Sequence, residues 1–403
     1  YGAKEIIVSL IVQKYGGTSV STTEKIKLIA THIAETVNQD NKLLVVVSAM
    51  GQHTNELTQL AKEISSKPVQ REMDMLLTVG ERITMALMSM ALADLKITAI
   101  SLTGSQSGIW TDASHGNARI QDIKTHRISE SLEKYKVVIV AGFQGMNPES
   151  KEITTLGRGG SDLTALAIAK KMNADICELY KDVDGVYTSD PRYNKEAKLI
   201  KKLPWDLLEE LTWNGAGIVH SRAAFLARKY QIPFTIRPTA KFNNNGTTIQ
   251  GLSEMESLQI SAITHKNGLR TVVTTSDQKN AMEKAQAWLW ENGEAPIVCQ
   301  LQARGKDYIL SQIIPDNLLK EFLNFTSKDL SNAHTEHSSE SLTSISIVGS
   351  GFRQSPEFIT KIMKLVKAPI LYTEVNTASV MILVTEEYGQ KTIDIIHKNL
   401  FET

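Results

Sequence analysis

Three glycine-containing loops carry the charged residues that could do chemistry. Residues 14–19 (KYGGTS) place a lysine before two glycines, and residues 154–162 (TTLGRGGSD) set an arginine and an aspartate around a second glycine turn. Residues 180–192 (YKDVDGVYTSDPR) add further charges after an apolar run. Glycines let backbone N–H groups approach an anion closely, and lysine can place a point charge on phosphate oxygens. The pattern indicates a site for a phosphate-bearing ligand.

Each loop also has a plainer interpretation. An isolated Lys-x-Gly-Gly is more often a tight turn with an exposed lysine, and Ser161 or Asp162 could simply be a helix N-cap. Asp184-Gly185 and Asp190-Pro191 alone would be two surface turns. The sequence contains no Walker loop (GxxxxGK[ST]). The presence of all three loops in one chain favours a single site, in which Arg158 could bind a carboxylate and Asp162 could accept from an ammonium group or orient a lysine.

The elements around these loops follow an α/β pattern. From Ile11 onward, short β-branched runs alternate with segments of helical period, which predicts a mainly parallel sheet with helices on both faces. Ligands of such sheets bind beyond the carboxyl ends of the strands, where all three loops fall. We expect a capping box of Ser21 and Glu24 at the start of the first helix. Strands are expected at 11–14, 43–48, 97–102, 137–141 and 176–180, and a long helix at about 71–93.

The pattern changes after the polar segment 241–246 (KFNNNG), which we interpret as the edge of the first domain. The later units are shorter, and a Ser/His/Glu-rich stretch at 327–341 separates two small modules of roughly 60 to 80 residues each, near the low end of domain size. The last module is expected to combine a strand at 344–348, a helix through Ile359, Ile362, Met363 and Val366, and a strand at 379–384. The predicted domains are therefore 10–250, 257–340 and 341–403.

Composition excludes several classes of function. Lys+Arg and Asp+Glu are both 44, so no global field would gather nucleic acid. Cys177 and Cys299 are the only cysteines, which permits no disulfide framework or thiolate metal cluster and fits a reducing, cytoplasmic setting. Apolar runs such as 43–47 have strand length, so we expect a soluble protein without a membrane span. Residues 1–9 are expected to be a short extension and not a secretion signal.

Taken together, the motifs resemble those of the aspartokinases, in the branch of the amino-acid kinase superfamily with two ACT-type regulatory modules. The resemblance covers nearly all of residues 10–250. It includes residues 12–20 (VQKYGGTSV), 45–51 (VVVSAMG), 71–74 (REMD), 80–81 (GE), 141–145 (AGFQG), 157–162 and 182–192. The implied fold is an α/β amino-acid-kinase three-layer αβα sandwich with a mainly parallel sheet, followed by two small ferredoxin-like (ACT-type) α+β modules.

The resemblance implies ATP-dependent phosphorylation of the side-chain carboxylate of L-aspartate to 4-phospho-L-aspartate, the first step of lysine, threonine and methionine biosynthesis. Lys14 would stabilise the transferring phosphoryl group, and Asp162 would orient Lys14 and the substrate. Backbone N–H groups of Gly16, Gly17 and Ser48 would hold phosphate oxygens. No covalent enzyme intermediate is implied, since positioning and charge neutralisation do most of the work in phosphoryl transfer.

The resemblance also assigns substrate and nucleotide contacts. Glu81 would bind the substrate ammonium group, although in a helix at 71–93 a solvated glutamate is the ordinary interpretation. The remaining substrate-binding residues would be Arg158, on the α-carboxylate, with Thr54, Ser48 and Ser161. The nucleotide would be held by Lys14, Gly16, Gly17, Lys181, Asp182, Tyr187 and Arg192. Mg²⁺ would be held mainly by the nucleotide phosphates, with no metal site on the protein. The implied partners are a second copy, joined through the ACT-type modules, and a shorter regulatory subunit.

The sequence departs from the family pattern at several positions. Lys181 stands where many relatives have threonine, Ser221 replaces a usual proline, and Gly217 replaces a lysine found in some members. We expect activity to survive because the central charges are present. The first module has no glycine in residues 270–278 (RTVVTTSDQ), where an effector loop is expected, which argues against feedback inhibition by lysine or threonine. Residues 349–351 (GSG) are interpreted as a regulatory strand-loop and not as a dinucleotide site.

Two alternative functions stay open at this point. The first is a related kinase acting on glutamate, acetylglutamate or a carbamate, because fold alone does not determine the substrate. The second is an amino-acid-binding sensor with vestigial catalysis. It is suggested by the region after Trp213, which departs from the family pattern. A substrate panel separates the first from an aspartate kinase. Restoring proline at Ser221 tests the second.

Overall fold

The computed structural model describes residues 9–37, 41–251, 258–292, 296–330 and 332–402. The chain divides into two compact units. The first contains Tyr1–Val186, Leu199–Thr212 and Gly217–Ser253, and the second contains Tyr187–Lys198, Trp213–Ala216 and Glu254–Thr403. The predicted N-terminal extension lies, except for Ser9, outside the described residues.

The first unit alternates strands and helices. Its strands are β1 (Leu10–Tyr15), β2 (Lys42–Val47), β3 (Ala99–Leu102), β4 (Ile109–Thr111), β5 (Ile120–Ile123), β6 (Val137–Ala141), β7 (Gln144–Met146), β8 (Ile153–Thr155), β9 (Ile176–Lys181), β10 (Lys202–Leu203), β11 (Phe234–Pro238) and β12 (Thr247–Ile249). Its helices are α1 (Thr23–Val37), α2 (His53–Ile64), α3 (Gln70–Leu77), α4 (Val79–Asp94), α5 (His126–Lys134), α6 (Gly160–Met172), α7 (Trp205–Trp213) and α8 (Ser221–Tyr230).

The main sheet of this unit has eight strands in the order β10-β12-β11-β9-β1-β2-β6-β3. Every neighbouring pair is parallel except β11 and β12. The central strands β2 and β6 are buried along almost their whole length, as expected when helices cover both faces. The prediction of a mainly parallel α/β sheet is therefore confirmed. A second sheet, β5-β4-β7-β8, was not predicted, because its strands are only three or four residues long.

Three local predictions need correction. The capping box is wrong, because Thr22 caps α1 by accepting from the Lys25 N–H at 3.3 Å, whereas the Ser21 hydroxyl donates to Thr18 O. The long helix at 71–93 is interrupted at Thr78, which separates α3 from α4. The polar segment 241–246 is not a domain edge, since it connects the antiparallel strands β11 and β12 inside the first unit.

One stretch of the described chain, Gln70–Asp94, is long and apolar enough to cross a membrane by length and composition alone. The core helices of many globular proteins meet the same criterion. Here Met88 and Leu92 of α4 are fully buried in the core of the first unit, together with Ile29 and Ile33 of α1. The apolar composition of this stretch therefore has a packing explanation along one face of α4.

The second unit is an antiparallel sheet with helices. Its strands are β13 (Gln259–Ser276), β14 (Val298–Arg304), β15 (Asp307–Pro315), β16 (Ala333–His337), β17 (Leu342–Ser350), β18 (Tyr372–Val375) and β19 (Ser379–Thr385). Its helices are α9 (Lys279–Glu291), α10 (Asp316–Asp329), α11 (Pro356–Leu365) and α12 (Glu386–Phe401), with a 3₁₀ turn at Phe352–Gln354. The strand order is β14-β15-β13-β17-β19-β18, and β16 also pairs with β13.

Strand β13 belongs to both halves of this sheet. Its first half pairs with β17, and its second half pairs with β15 and β16. Accordingly Ile263 lies in one apolar core with Ile345 and Phe352, whereas Val272 lies in another with Phe322. The segment assigned to the first small module thus contributes strand residues to both halves. The domain boundaries at 250, 257 and 341 stay predictions.

Candidate active site

The charged centre of the first unit is formed by three side chains from three elements. Lys14 of β1 lies with its Nζ 2.6 Å from Oδ1 of Asp162, and Lys181 of β9 lies with its Nζ 2.6 Å from Oδ2 of the same carboxylate. β1 and β9 are adjacent parallel strands, so both lysines project from neighbouring strand ends. Asp162 reaches them from the first turn of α6. The structure therefore brings together three residues that the sequence placed in three separate loops.

Burial and mutual attraction set the protonation of this centre. Burial lowers the pKa of Lys14 to about 8, against the opposing effect of Asp162 and with a further lowering by the charge of Lys181. Burial alone would raise the pKa of Asp162, but the two ammonium groups outweigh it and hold that pKa at about 2. At neutral pH Asp162 is therefore ionised and Lys14 is largely protonated.

A second group of polar side chains surrounds the loop after β2. The hydroxyl groups of Ser48 and Ser161 are 2.7 Å apart, and Oε1 of Glu81 accepts from the Ala49 N–H at 3.0 Å. Gly80 makes this approach possible, because a Cβ at that position would lie 2.6 Å from the Cβ of Ala49. The end of β2 and the starts of α4 and α6 therefore meet here.

Glu81 differs from the solvated mid-helix glutamate that was the plainer interpretation. It lies in the first turn of α4, because the interruption at Thr78 starts a new helix, and it is only 4% exposed. Within the described residues its Oε2 has no hydrogen-bond partner. Burial raises the pKa of Glu81 to about 7, and the charge of Lys14 opposes this rise. A buried carboxylate oxygen without a donor is suited to bind an ammonium group.

The first glycine loop is tightly packed. A Cβ at Gly17 would lie 2.9 Å from Ala49 O, so a larger residue would displace the backbone. The Gly16 N–H donates to Tyr180 O at 3.3 Å, and the Ser48 N–H donates to Tyr15 O at 3.2 Å. Both N–H groups are engaged in the structure, so their roles in holding phosphate stay predictions that require these bonds to be shared or opened.

Arg158 lies on an exposed turn at the start of α6. The N-cap of α6 is Gly159, so the interpretation of Ser161 or Asp162 as the cap is wrong. Gly159 has φ +68°, and a Cβ there would lie 2.1 Å from the Cβ of His220. Only glycine fits this turn, because it combines a left-handed conformation with close packing.

Two residues anchor the chain around Arg158. Neither was assigned a role from the sequence. Arg222 of α8 donates to Asn117 Oδ1 at 2.6 Å, to Leu156 O at 2.5 Å and to Ala118 O at 2.8 Å. Burial lowers its pKa, but a guanidinium group stays charged at neutral pH. Arg222 thus fixes the chain immediately before the Arg158 turn.

Asp74 of α3 anchors the neighbouring segment. Its fully buried carboxylate accepts from the Gly116 N–H at 3.0 Å and from the Thr155 hydroxyl at 2.5 Å, and it lies 2.6 Å from Nδ1 of His115. The sequence contained the REMD motif, but no local pattern pairs residue 74 with residues 115 and 155. Such long-range partners become visible only in the fold.

The remaining predicted residues belong to other elements. Thr54 is in the first turn of α2, and Asp182 is exposed directly after β9. Tyr187 and Arg192 belong to the second unit, where the Lys198 Nζ donates to Phe401 O of α12 at 2.6 Å. Arg192 is paired within its own turn, with its Nη2 2.7 Å from Asp190 Oδ2. The substrate-binding role of Thr54 and the nucleotide-binding roles of Asp182, Tyr187 and Arg192 stay predictions.

Two departures from the family pattern have structural explanations. Ser221 is the first residue of α8, after His220, whose Nδ1 accepts from the Arg222 N–H at 3.3 Å. Proline is favoured at a first helical position but is not required there, so serine is tolerated. A Cβ at Gly217 would meet no atom within 4 Å, so the missing side chain leaves no packing defect.

The chain is similar to known proteins over most of its length. Residues 9–238, more than half of the chain, match the amino acid kinase family. "Aspartokinase 2" of Bacillus subtilis (strain 168) is 40% identical, and "Aspartokinase" of Geobacillus stearothermophilus is 38% identical, each over 97% of both chains. The chain belongs to the aspartokinases of the amino acid kinase family. The predicted family membership is thereby confirmed.

A solved structure shares the fold of this aspartokinase family member. E. coli aspartokinase III in complex with aspartate and ADP (R-state) matches with a TM-score of 0.79 at 20% identity, over 97% of this chain and 100% of that one. The fold class predicted from the resemblance, a kinase domain followed by ACT-type modules, is confirmed by this match. The roles of the individual site residues stay predictions.

Proposed function

We propose that this chain transfers the γ-phosphoryl group of ATP to the side-chain carboxylate of L-aspartate, through a site built on Lys14, Asp162, Glu81 and Arg158. The observation that carries the proposal is that the first unit contains both a group of cations suited to phosphate and a buried carboxylate suited to an ammonium group. The Lys14–Asp162–Lys181 centre provides cations for phosphate oxygens, and the buried Glu81 offers an open carboxylate oxygen for an ammonium group. The charge of Lys14 acts on Glu81, so the two lie within electrostatic reach.

In the proposed reaction an oxygen of the aspartate side chain attacks the γ-phosphorus. The new P–O bond forms while the bond between the γ-phosphorus and the β,γ-bridging oxygen breaks, and ADP leaves. No proton moves, because the attacking carboxylate is already ionised. Lys14 stabilises the charge on the transferring group, Glu81 holds the substrate ammonium group, and Arg158 binds its α-carboxylate.

Magnesium is expected to enter with the ATP phosphates. Among the described residues, no group of three or more His, Cys, Asp or Glu side chains is arranged to hold a metal ion. Mg²⁺ commonly keeps several waters and is bound through substrate phosphates in kinases. The lysines of the charged centre would hold the phosphates with which the ion enters.

The decisive test is a substrate panel with ATP and magnesium. ADP release would be followed with L-aspartate, L-glutamate, N-acetyl-L-glutamate and carbamate, and hydroxylamine would trap an acyl phosphate as its hydroxamate. We expect turnover and hydroxamate with L-aspartate at the highest kcat/KM, because Glu81 and Arg158 together fit a free α-amino acid. Preference for another acceptor would refute the aspartate assignment.

A sensor with vestigial catalysis is the competing class of function. The intact ion pairs of Lys14, Asp162 and Lys181 count against it. The sensor hypothesis was suggested by the departures from the family pattern after Trp213. One of these, Ser221, is simply the first residue of a well-formed α8. An unchanged rate in a Ser221→Pro variant would remove the reason for considering a sensor.

The physiological setting is part of the same proposal. We infer a cytoplasmic enzyme that opens lysine, threonine and methionine biosynthesis and forms a homodimer through the second unit, with a shorter regulatory subunit as a further partner. Sedimentation of the full chain tests the dimer. Initial rates with added lysine, threonine or methionine test control, and strong inhibition by lysine or threonine would contradict our interpretation of residues 270–278.

A further inference from the structure

Lys181 is held firmly beside the first glycine loop. It is the last residue of β9, which pairs with β1 so that Tyr180 lies opposite Tyr15. The Gly16 N–H donates to Tyr180 O at 3.3 Å, and the Thr239 N–H donates to Lys181 O at 2.8 Å. The backbone on both sides of the Lys181 side chain is therefore fixed within the sheet, next to the loop expected to hold phosphate.

The side chain of Lys181 faces inward and yet is the most accessible part of the charged centre. Its Nζ lies 2.6 Å from Asp162 Oδ2, while Lys14 lies at the same distance from Oδ1. The Lys181 side chain is 15% exposed, whereas those of Lys14 and Asp162 are each 4% exposed. A ligand that enters from solvent would therefore meet Lys181 before it meets Lys14.

The charges of the centre do not balance. Asp162 is already neutralised by Lys14, so a structural role for Asp162 does not require a second lysine. Lys181 leaves the centre with one excess positive charge in a largely buried position. Such an excess is unfavourable unless an anion compensates it. Glu81 does not pair with Lys181, since its Oε1 accepts from the Ala49 N–H and its Oε2 has no partner in the described part of the chain.

We propose that Lys181 is a second catalytic cation, which shares Asp162 with Lys14 in the free protein and contacts oxygens of the transferring phosphoryl group when the nucleotide binds. The proposal rests on the proposed kinase function and extends the role of Lys181 from nucleotide binding to the chemical step. Lys181 forms no covalent bond and gives up no proton. Two cations that contact different oxygens of the phosphoryl group would stabilise the negative charge that spreads over this group in the transition state.

The test compares three variants, with Mg-ATP varied at saturating aspartate and aspartate varied at saturating Mg-ATP. Lys181→Thr introduces the residue of many relatives, Lys181→Arg keeps the charge, and Lys170→Thr alters an exposed lysine at the end of α6 as a matched control. We expect Lys181→Thr to lower kcat roughly 10- to 100-fold, somewhat less than the loss of a sole oxyanion donor. The KM for aspartate should change little, Lys181→Arg should recover part of kcat, and Lys170→Thr should match wild type.

The pH profile reports whether the charge of Lys181 acts on Lys14 in the working enzyme. Lys14 faces Asp162 on α6, Lys181 on β9 and Glu81 on α4, and the charge of Lys181 contributes to the lowering of the Lys14 pKa. Removal of that charge should shift the alkaline limb of kcat/KM to higher pH. Unchanged kcat in Lys181→Thr, or a lower kcat with an unmoved alkaline limb and a lower melting temperature, would overturn the proposal.

Calorimetric titration with tripolyphosphate separates this proposal from the function on which it rests. We expect Lys181→Thr to bind tripolyphosphate more weakly than wild type and Lys170→Thr to bind it equally. If wild type phosphorylates no aspartate but this difference persists, the proposed substrate is wrong and the phosphate contact of Lys181 stands. Equal tripolyphosphate affinity in wild type and Lys181→Thr would refute the contact whatever the substrate.

Discussion

Glu81 and Lys14 place two pKa values within the physiological range. Burial raises that of Glu81 to about 7, and burial, assisted by Lys181, lowers that of Lys14 to about 8. In the proposed site, Glu81 would have to be ionised to hold the substrate ammonium group, and Lys14 would have to be protonated to stabilise the phosphoryl group. The kcat/KM for aspartate should therefore fall as pH drops through about 7 and as it rises through about 8. A rate profile that stays flat from pH 6 to 9 would contradict both assignments.

Glu81→Gln should remove the acidic limb of this profile. The variant loses a charge-assisted hydrogen bond of about 1.5–3 kcal/mol, which is roughly 10- to 150-fold in kcat/KM for aspartate. The KM for ATP should hardly change, because the loss is confined to the amino-acid site. Glu133→Gln, on the exposed side of α5, is the matched control. Retention of the acidic limb in Glu81→Gln would assign it to another group.

The Glu81→Gln variant should also differ from wild type in thermal stability, by an amount that depends on pH. The folded-state pKa of Glu81 lies above its ordinary value of 4.5, so wild type loses stability as pH rises from about 4.5 to about 7 and does not regain it above. Glutamine carries no such penalty. Glu81→Gln should therefore melt higher than wild type at pH 8, with a smaller difference at pH 5. This measurement also shows whether a loss of activity comes from unfolding.

At the scale of elements, α8 positions the turn that carries Arg158. Arg222→Lys keeps the charge, but one ammonium group cannot replace both guanidinium nitrogens that bind Asn117, Leu156 and Ala118, and we expect a loss of about 1–3 kcal/mol. We expect the KM for aspartate to rise, with a much smaller change in the KM for ATP. Arg228→Lys, an exposed substitution on the same helix in a pair with Glu209, is the control. An equal loss of affinity for both substrates would show that Arg222 supports the unit in general and not the Arg158 turn.

The elements themselves were largely predictable, because β-branched runs and helical periodicity are local properties of the sequence. The strands at β1, β2, β6 and β9 coincide with their predicted positions within one or two residues. The interruption at Thr78 was not predictable, because apolar periodicity continues across it, and it is what places Glu81 in a first helical turn. The resemblance supplied the roles of Glu81 and Arg158. The anchors Arg222 and Asp74 were missed, because their partners are 41 to 105 residues away.

At the scale of the whole molecule, β13 couples the two halves of the second unit. Ile263→Ala should remove about 2–5 kcal/mol from a buried core position. Because the strand continues into the other half, we expect hydrogen exchange to speed up in β14 and β15 as well as in β17 and β19. Exposed Leu301→Ala on β14 is the control, with little expected effect on either half. Faster exchange confined to β17 and β19 would show that the two halves unfold independently.

The pairing of Leu269 with Leu342 has a consequence for the gene as well as for the fold. These residues lie opposite each other in an antiparallel ladder, so the part of β13 that pairs with β17 ends at the same point of the sheet at which β17 begins. The intervening residues therefore begin and end at adjoining positions of the sheet. An in-frame deletion there, bridged by a short turn, would leave a hairpin of β17 and the first half of β13. Gain or loss of such a segment would let related chains differ in the regulation of their activity. The sequence and reading frame of the catalytic unit would stay unchanged.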